Sequence, residues 1–128
     1  LLLVGKGPAD NDLLTKSAQA NDFWVHVVTG SGSHVLVPKR ILALGKNETL
    51  APSVQREAAI LAVHFSKLRA NRSGEVYFTE RRFLKKKKGM ADGLWSVEKS
   101  KNFHVDYEED ELKKLLSSTG ESGKSSVE

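Results

Sequence analysis

Between about Pro52 and Ala70, apolar residues recur at spacings of four and three: Val54, Ala58, Leu61, Phe65 and Leu68. On a helix with 3.6 residues per turn these side chains share one face, so the segment predicts an amphipathic helix of roughly four to five turns. Pro52 suits the first turn, and Asn71 to Gly74 supply the stop. The rest of the chain has to provide the surface this stripe covers.

That surface reads as sheet. "FWVHVV" (23–28) alternates, with Phe23, Val25 and Val27 on one side and Trp24, His26 and Val28 on the other. "TGSGS" supplies a turn, and "HVLVPK" follows as a second strand with Val35 and Val37 on one face. Two alternating runs joined by a few Gly-rich residues predict a β-hairpin. "LLLVG" (1–5), "EVYFT", "GLWSVEKS" and "KNFHVDY" are further strands, with "ERRFLKKKK" extending or following the second of these. "ADNDLLTKSA" predicts a short helix capped by Asp10 or Asn11. In "EEDELKKLL" acids precede lysines, which complements a helix dipole, and Leu112, Leu115 and Leu116 form its stripe. The Ser/Gly-rich segment 117–128 is expected to be a disordered tail. The expected fold is therefore α+β: a single domain over residues 1–116, with a mixed β-sheet of about five or six strands packed against one long helix with two shorter helices.

A chain of 128 residues suits one domain with a real core. It has no cysteine, which excludes disulfides, thiolate zinc sites and a Cys nucleophile and fits a reducing interior. No apolar run approaches membrane-spanning length, and "LLLVGKG" lacks the parts of a signal peptide, so no membrane partner is expected. The chain starts at Leu1 rather than Met, and a preceding segment is expected. The formal charge of +4 points to a polyanionic partner only if the excess gathers on one face.

It does gather along the chain. In "RRFLKKKK" six of eight residues, Arg81, Arg82, Lys85, Lys86, Lys87 and Lys88, are cationic. Lysines often protect an exposed sheet edge, but six charges in eight residues exceed that need. Neutralising phosphates with Lys and Arg is the main source of sequence-independent nucleic-acid affinity, so this run is a candidate phosphate-binding segment. Lys6, Lys16, Lys39, Arg40, Lys67, Arg69 and Arg72 could widen the patch if the fold collects them.

The hairpin raises a second possibility. Asp22, Trp24 and His26 share a strand face at period two, and His34 can lie across from His26 if the turn is tight. These residues could form a two-His-one-carboxylate centre, but a third strong ligand and an outer partner are not evident. A half-exposed stacking and hydrogen-bonding surface suits them better. No metal or other cofactor is expected. "TGESGKSS" (119–126) mimics the end of a phosphate-binding loop, but Ser118 stands where the pattern needs Gly, and the strand–loop–helix context is missing. Ser66 and Lys67, adjacent on a helix, point about 100° apart and make no catalytic pair. Trp95 and Phe103 read as core strand residues, His64 as structural, and His104 as lacking a partner.

The order of these motifs resembles the R domain, the proposed RNA-binding domain, of the NFACT family of ribosome quality-control proteins. Gly5-Lys6, Asn11-Asp12, Leu14-Thr15, Asp22, Trp24, His26 and Gly32-Ser33-His34-Val35 follow the family pattern, and the likeness runs over residues 1–98. Gly7-Pro8 replaces an expected Asn-containing stretch, and the acidic helix and tail lie outside the pattern. The resemblance implies an α+β fold with the hairpin and basic strands close together. It also implies a cytoplasmic, non-catalytic RNA-binding role, with tRNA or ribosome-associated RNA as partner, in a standalone or excised domain; DNA binding remains open. On that reading Lys6 and the six cations of the basic run contact phosphates, with Trp24, His26 and His34 as recognition surface, braced by Asn11, Asp12, Asp22 and Ser33. An Arg82→Glu plus Lys86→Glu variant is expected to lose RNA affinity while staying folded. The alternatives are a phosphodiesterase or other hydrolase using Asp22, His26 and His34, and a protein-interaction module for an acidic partner.

Overall fold

A computed structural model describes the backbone of residues 2–42 and 50–126, with side chains over 2–40 and 50–117. The class is α+β, as expected. Its centre is a five-stranded sheet in the order β1-β3-β2-β4-β7, built from β1 (Leu3–Val4), β2 (Phe23–Val27), β3 (Val35–Val37), β4 (Ser73–Glu80) and β7 (Lys101–Asp106). A separate two-stranded sheet pairs β5 (Leu84–Lys85) with β6 (Ser96–Val97). Every pairing is antiparallel, where a mixed sheet was expected. Only β2–β3 and β5–β6 pair strands adjacent in sequence; the other pairings, β1–β3, β2–β4 and β4–β7, join strands separated by further elements of the chain.

The period-two alternation of the hairpin assigns its faces. Phe23, Val25, Val27, Val35 and Val37 enter the main core with Val76, Phe78 and Val105. Helix α2 (Pro52–His64) covers that face, and Leu112 and Leu115 of α3 (Glu109–Ser126) join the same cluster. Ala58, Ala59 and Ala62 are fully buried, so α2 lies close on the sheet. Trp24 and Leu36 point the other way and pack with Leu84 and Trp95, beneath α1 (Pro8–Ser17) and the β5–β6 hairpin. Both sheet faces are thus covered. Of the segment 117–128, expected to be a disordered tail, the side chains from 118 onward and residues 127–128 lie outside the described residues.

The helix expected to be the long one, α2, has 13 residues, shorter than its stripe and shorter than the 18 of α3. It ends at His64 because the β2–β3 turn pins the chain just beyond: Ser33 N–H donates to Phe65 O at 3.1 Å, and Lys67 N–H to Ser31 O at 3.4 Å. Ser66 Oγ donates to Val63 O at 2.8 Å and accepts from Leu68 N–H at 3.0 Å, completing the cap. Phe65 and Leu68 still pack against the core from this turn. Gly32 makes the docking possible, since a Cβ there would lie 2.7 Å from Ser66 Cβ. Gly32→Ala is therefore expected to destabilise by roughly 1–3 kcal/mol in urea unfolding, the usual cost of overpacking. An unchanged midpoint would mean the turn is free to move.

Helix α1 also departs from expectation. Gly7 is its N-cap and Pro8 opens it; Asp10 accepts from Lys6 N–H at 2.7 Å, and Asn11 and Asp12 are buried rather than capping.

Candidate nucleic-acid interface

Two polar assemblies fix the Trp24 side of the sheet. In the first, Asn11 clamps the β2–β3 turn: its Nδ2 donates to Gly32 O at 3.1 Å and its Oδ1 accepts from His34 N–H at 3.1 Å. The His34 ring is 1% exposed. Its Nε2 donates to Gly93 O at 3.0 Å, leaving Nδ1 to accept from the Thr15 hydroxyl at 2.7 Å. A carbonyl can only accept, so the arrangement places a proton on Nε2, and the neutral ring accepts through Nδ1. Burial, with neighbouring His26 second, pushes the His34 pKa down to about 4.

In the second assembly Asp12 is the hub. Its buried Oδ1 accepts from Gly93 N–H at 2.8 Å, Trp95 Nε1 at 2.9 Å and Lys86 Nζ at 3.2 Å. Burial alone would raise this carboxyl, but the Gly93, Trp95 and Lys86 donors bring it below its usual value. Gly93 sits between the assemblies, giving its N–H to Asp12 and its carbonyl to His34. Its φ of +80° is one that glycine adopts without strain.

The basic run divides into two sets. Lys86 turns inward, donating to Asp12, to Leu94 O at 2.8 Å and to Ala91 O. Arg81 does likewise: Nε donates to Thr15 O at 2.6 Å, and the guanidinium lies 4.8 Å from the Trp95 ring centre. Burial lowers the Arg81 pKa. Arg82, Lys85, Lys87 and Lys88 are exposed, although Arg82 also pairs with Glu80 at 2.6 Å. Of the cations expected to widen the patch, Lys39 is buried with its ammonium over Phe23, and Arg72 pairs with Glu109 at 3.5 Å.

The hairpin aromatics do not form a half-exposed surface. Trp24 is 2% exposed, stacked on His26 at 5.6 Å and met edge-on by His34 at 5.0 Å. His34 does lie beside His26, with ring centres 5.2 Å apart. Of the three, His26 is the half-buried one. It lines a cleft of about 520 Å³ with Lys6, Asn11, Ser33, Phe65 and Leu94. Burial lowers its pKa below the ordinary value.

Asp22 does not join the histidines. Its carboxylate accepts from Gln19 N–H at 2.9 Å and Lys39 N–H at 3.0 Å, bracing the chain before β2. Among the described residues no three His, Asp or Glu gather as a cation site. His104 has partners after all: Ser73 Oγ at 2.8 Å and Asp106 Oδ1 at 3.3 Å. Both meet the same nitrogen, Nε2, so this exposed trio lacks the relay geometry of a hydrolytic triad. Sequence reasoning missed Thr15 and Gly93 as members of the site. Thr15 had a signal, since it falls one helical turn after Asn11 and shares its face.

Residues 1–99 match the family described as NFACT protein RNA binding domain. The chain is similar to the Rqc2 homolog RqcH of Streptococcus suis, 33% identical over 118 residues that make up 90% of this chain and 20% of that protein. It is 31% identical over 120 residues to the Rqc2 homolog RqcH of Bacillus subtilis, covering 91% of this chain and 19% of that protein. The chain thus spans about a fifth of these curated relatives. A solved structure, the C-terminal of the fibronectin/fibrinogen-binding protein from Streptococcus suis, superposes with a TM-score of 0.74 at 32% identity, covering 88% of this chain and 43% of that one. The match spans most of the chain, and this chain belongs to the NFACT RNA-binding domain family.

Proposed function

We propose that the domain is a non-catalytic RNA-binding module of ribosome quality control, working in the cytoplasm on tRNA or ribosome-associated RNA. The observation that carries this reading is the division of labour in the basic run. Arg81 and Lys86 anchor the segment from inside, while Arg82, Lys85, Lys87 and Lys88 stand exposed on it. A phosphate-binding surface needs cations held in place with their charge outward. The Arg82–Glu80 pair is exposed and weak, so it does not withhold Arg82 from phosphate. Lys6, on the rim of the His26 cleft, extends the same role. Trp24, His34, Asn11, Asp12, Asp22 and Ser33 serve from beneath, by fixing the turn and the 86–95 loop.

Fluorescence anisotropy with tRNA, single-stranded RNA and duplex DNA at several salt concentrations tests this. A Lys85→Glu, Lys87→Glu, Lys88→Glu variant is expected to bind tRNA at least roughly tenfold more weakly, with a log–log salt slope shallower by roughly 1 per lysine lost. Unchanged affinity would remove the phosphate assignment. Equal, steeply salt-sensitive binding to all three nucleic acids would reduce the reading to a nonspecific basic surface.

A further inference from the structure

We propose that the cleft system around His26 takes one unstacked nucleobase of the bound RNA strand, so that the domain reads a base as well as a backbone. This rests on the RNA-binding reading above and goes further, because phosphate contacts alone carry no base information.

The cleft of about 520 Å³ opens between the start of α1, the β2–β3 turn and residues 92–94. A second cleft of about 210 Å³ adjoins it, lined by Trp24, Tyr77, Trp95 and Val97. His26, Gly30, Gly93 and Leu94 line both, so the two clefts meet at a common wall that carries the imidazole and together make up the recess. Its walls are unsuited to a phosphate. The larger cleft offers one cation, Lys6, opposed by Asp92, and His26 is a neutral ring in a buried setting. They suit a flat, neutral heterocycle, which needs aromatic faces and a few uncharged hydrogen-bonding groups.

Two further observations point inward. Trp24 is 98% buried by its 2% exposure, and its indole N–H finds no partner among the described residues. Buried indole donors are ordinarily satisfied, and the ring that carries this unmet one forms part of the wall of the smaller cleft. At the mouth, Leu94 is 55% exposed, a large apolar side chain left for a ligand to cover. The same loop holds Lys87 and Lys88, so the strand that meets those cations passes the recess.

The two tryptophans of the chain, Trp24 and Trp95, both line the smaller cleft, which makes intrinsic fluorescence a local reporter. A short single-stranded RNA is titrated against an abasic RNA of the same length. The base-bearing strand is expected to bind about tenfold tighter and to change tryptophan emission, while the abasic strand leaves emission nearly untouched. Leu94→Ser, at an exposed position that tolerates change, is expected to erase most of that preference, and His26→Ala the same where it folds. Free AMP is expected to compete only weakly. Equal binding of both strands, with the lysine variant still impaired, overturns the base recess and leaves the RNA-binding reading intact. Binding of neither strand removes both, and AMP binding tighter than RNA overturns the strand-bound base in favour of a mononucleotide site.

Discussion

Lys86→Glu is expected to cost the domain roughly 3–5 kcal/mol of stability, whereas Lys87→Glu, one residue on, shifts unfolding by no more than about 0.5 kcal/mol. The two side chains look alike in a run of four lysines. Lys87 is exposed, but Lys86 closes the Asp12 hub and holds the carbonyls of Ala91 and Leu94. Its side chain is 17% exposed and the Asp12 side chain 7%. Glutamate there sets a second carboxylate against a buried one and strands two carbonyls. Urea unfolding of the two variants, with circular dichroism to confirm the starting fold, gives the comparison. A Lys86→Glu protein as stable as the parent would show that the hub does not hold the 86–95 loop. One consequence reaches the RNA experiments: the Arg82→Glu plus Lys86→Glu pair, read from the sequence as a clean surface variant, mixes lost charge with lost fold. Lys85, Lys87 and Lys88 are the cations to change.

Which parts of this were legible beforehand follows from the range of the signals. Alternation is a local signal, and it placed Val25 and Trp24 on opposite sheet faces correctly. Helical periodicity is local too, and it found α2 but overran its end. Phe65 and Leu68 keep their apolar contacts from a turn, so the stripe continues after the helix has stopped. What ends the helix is Ser33, far back in the chain, and no window around residue 65 contains it. The site shows the same limit more sharply. Asp12 meets Lys86, Gly93 and Trp95 across 74, 81 and 83 residues. Composition shows six cations but not which two face inward. Motif order did reach this far, because a family pattern holds long-range partners without explaining them: Asn11-Asp12 and Gly32-Ser33-His34 were named together before their contacts were visible.

Acidification is expected to remove on the order of 3 kcal/mol of stability between pH 6.5 and 4 through His34 alone, since its pKa falls from 6.5 in the unfolded chain to about 4 in the fold. The direction follows from proton counting. Between those values the unfolded chain binds a proton at this position that the folded chain refuses. The stabilisation is therefore complete above pH 6.5, shrinks as pH falls through that value, and stops shrinking near pH 4, where the folded imidazole also protonates. His26 and His64, both lowered by burial, add losses of the same sign. Hydrogen bonding is not what fails, because a charged ring still donates from Nε2 to Gly93 O and can donate from Nδ1 to Thr15 Oγ. The penalty is desolvation of the charge beside Trp24 and His26. Unfolding midpoints measured at pH 7 and pH 5 should differ by about 2 kcal/mol on the His34 contribution. His34→Gln lowers stability at both values but should flatten the difference between them. An equally steep pH dependence in that variant would assign the acid sensitivity elsewhere. A flattened one would identify His34 as the group that keeps the turn, Gly93 and the basic loop assembled only while it is neutral.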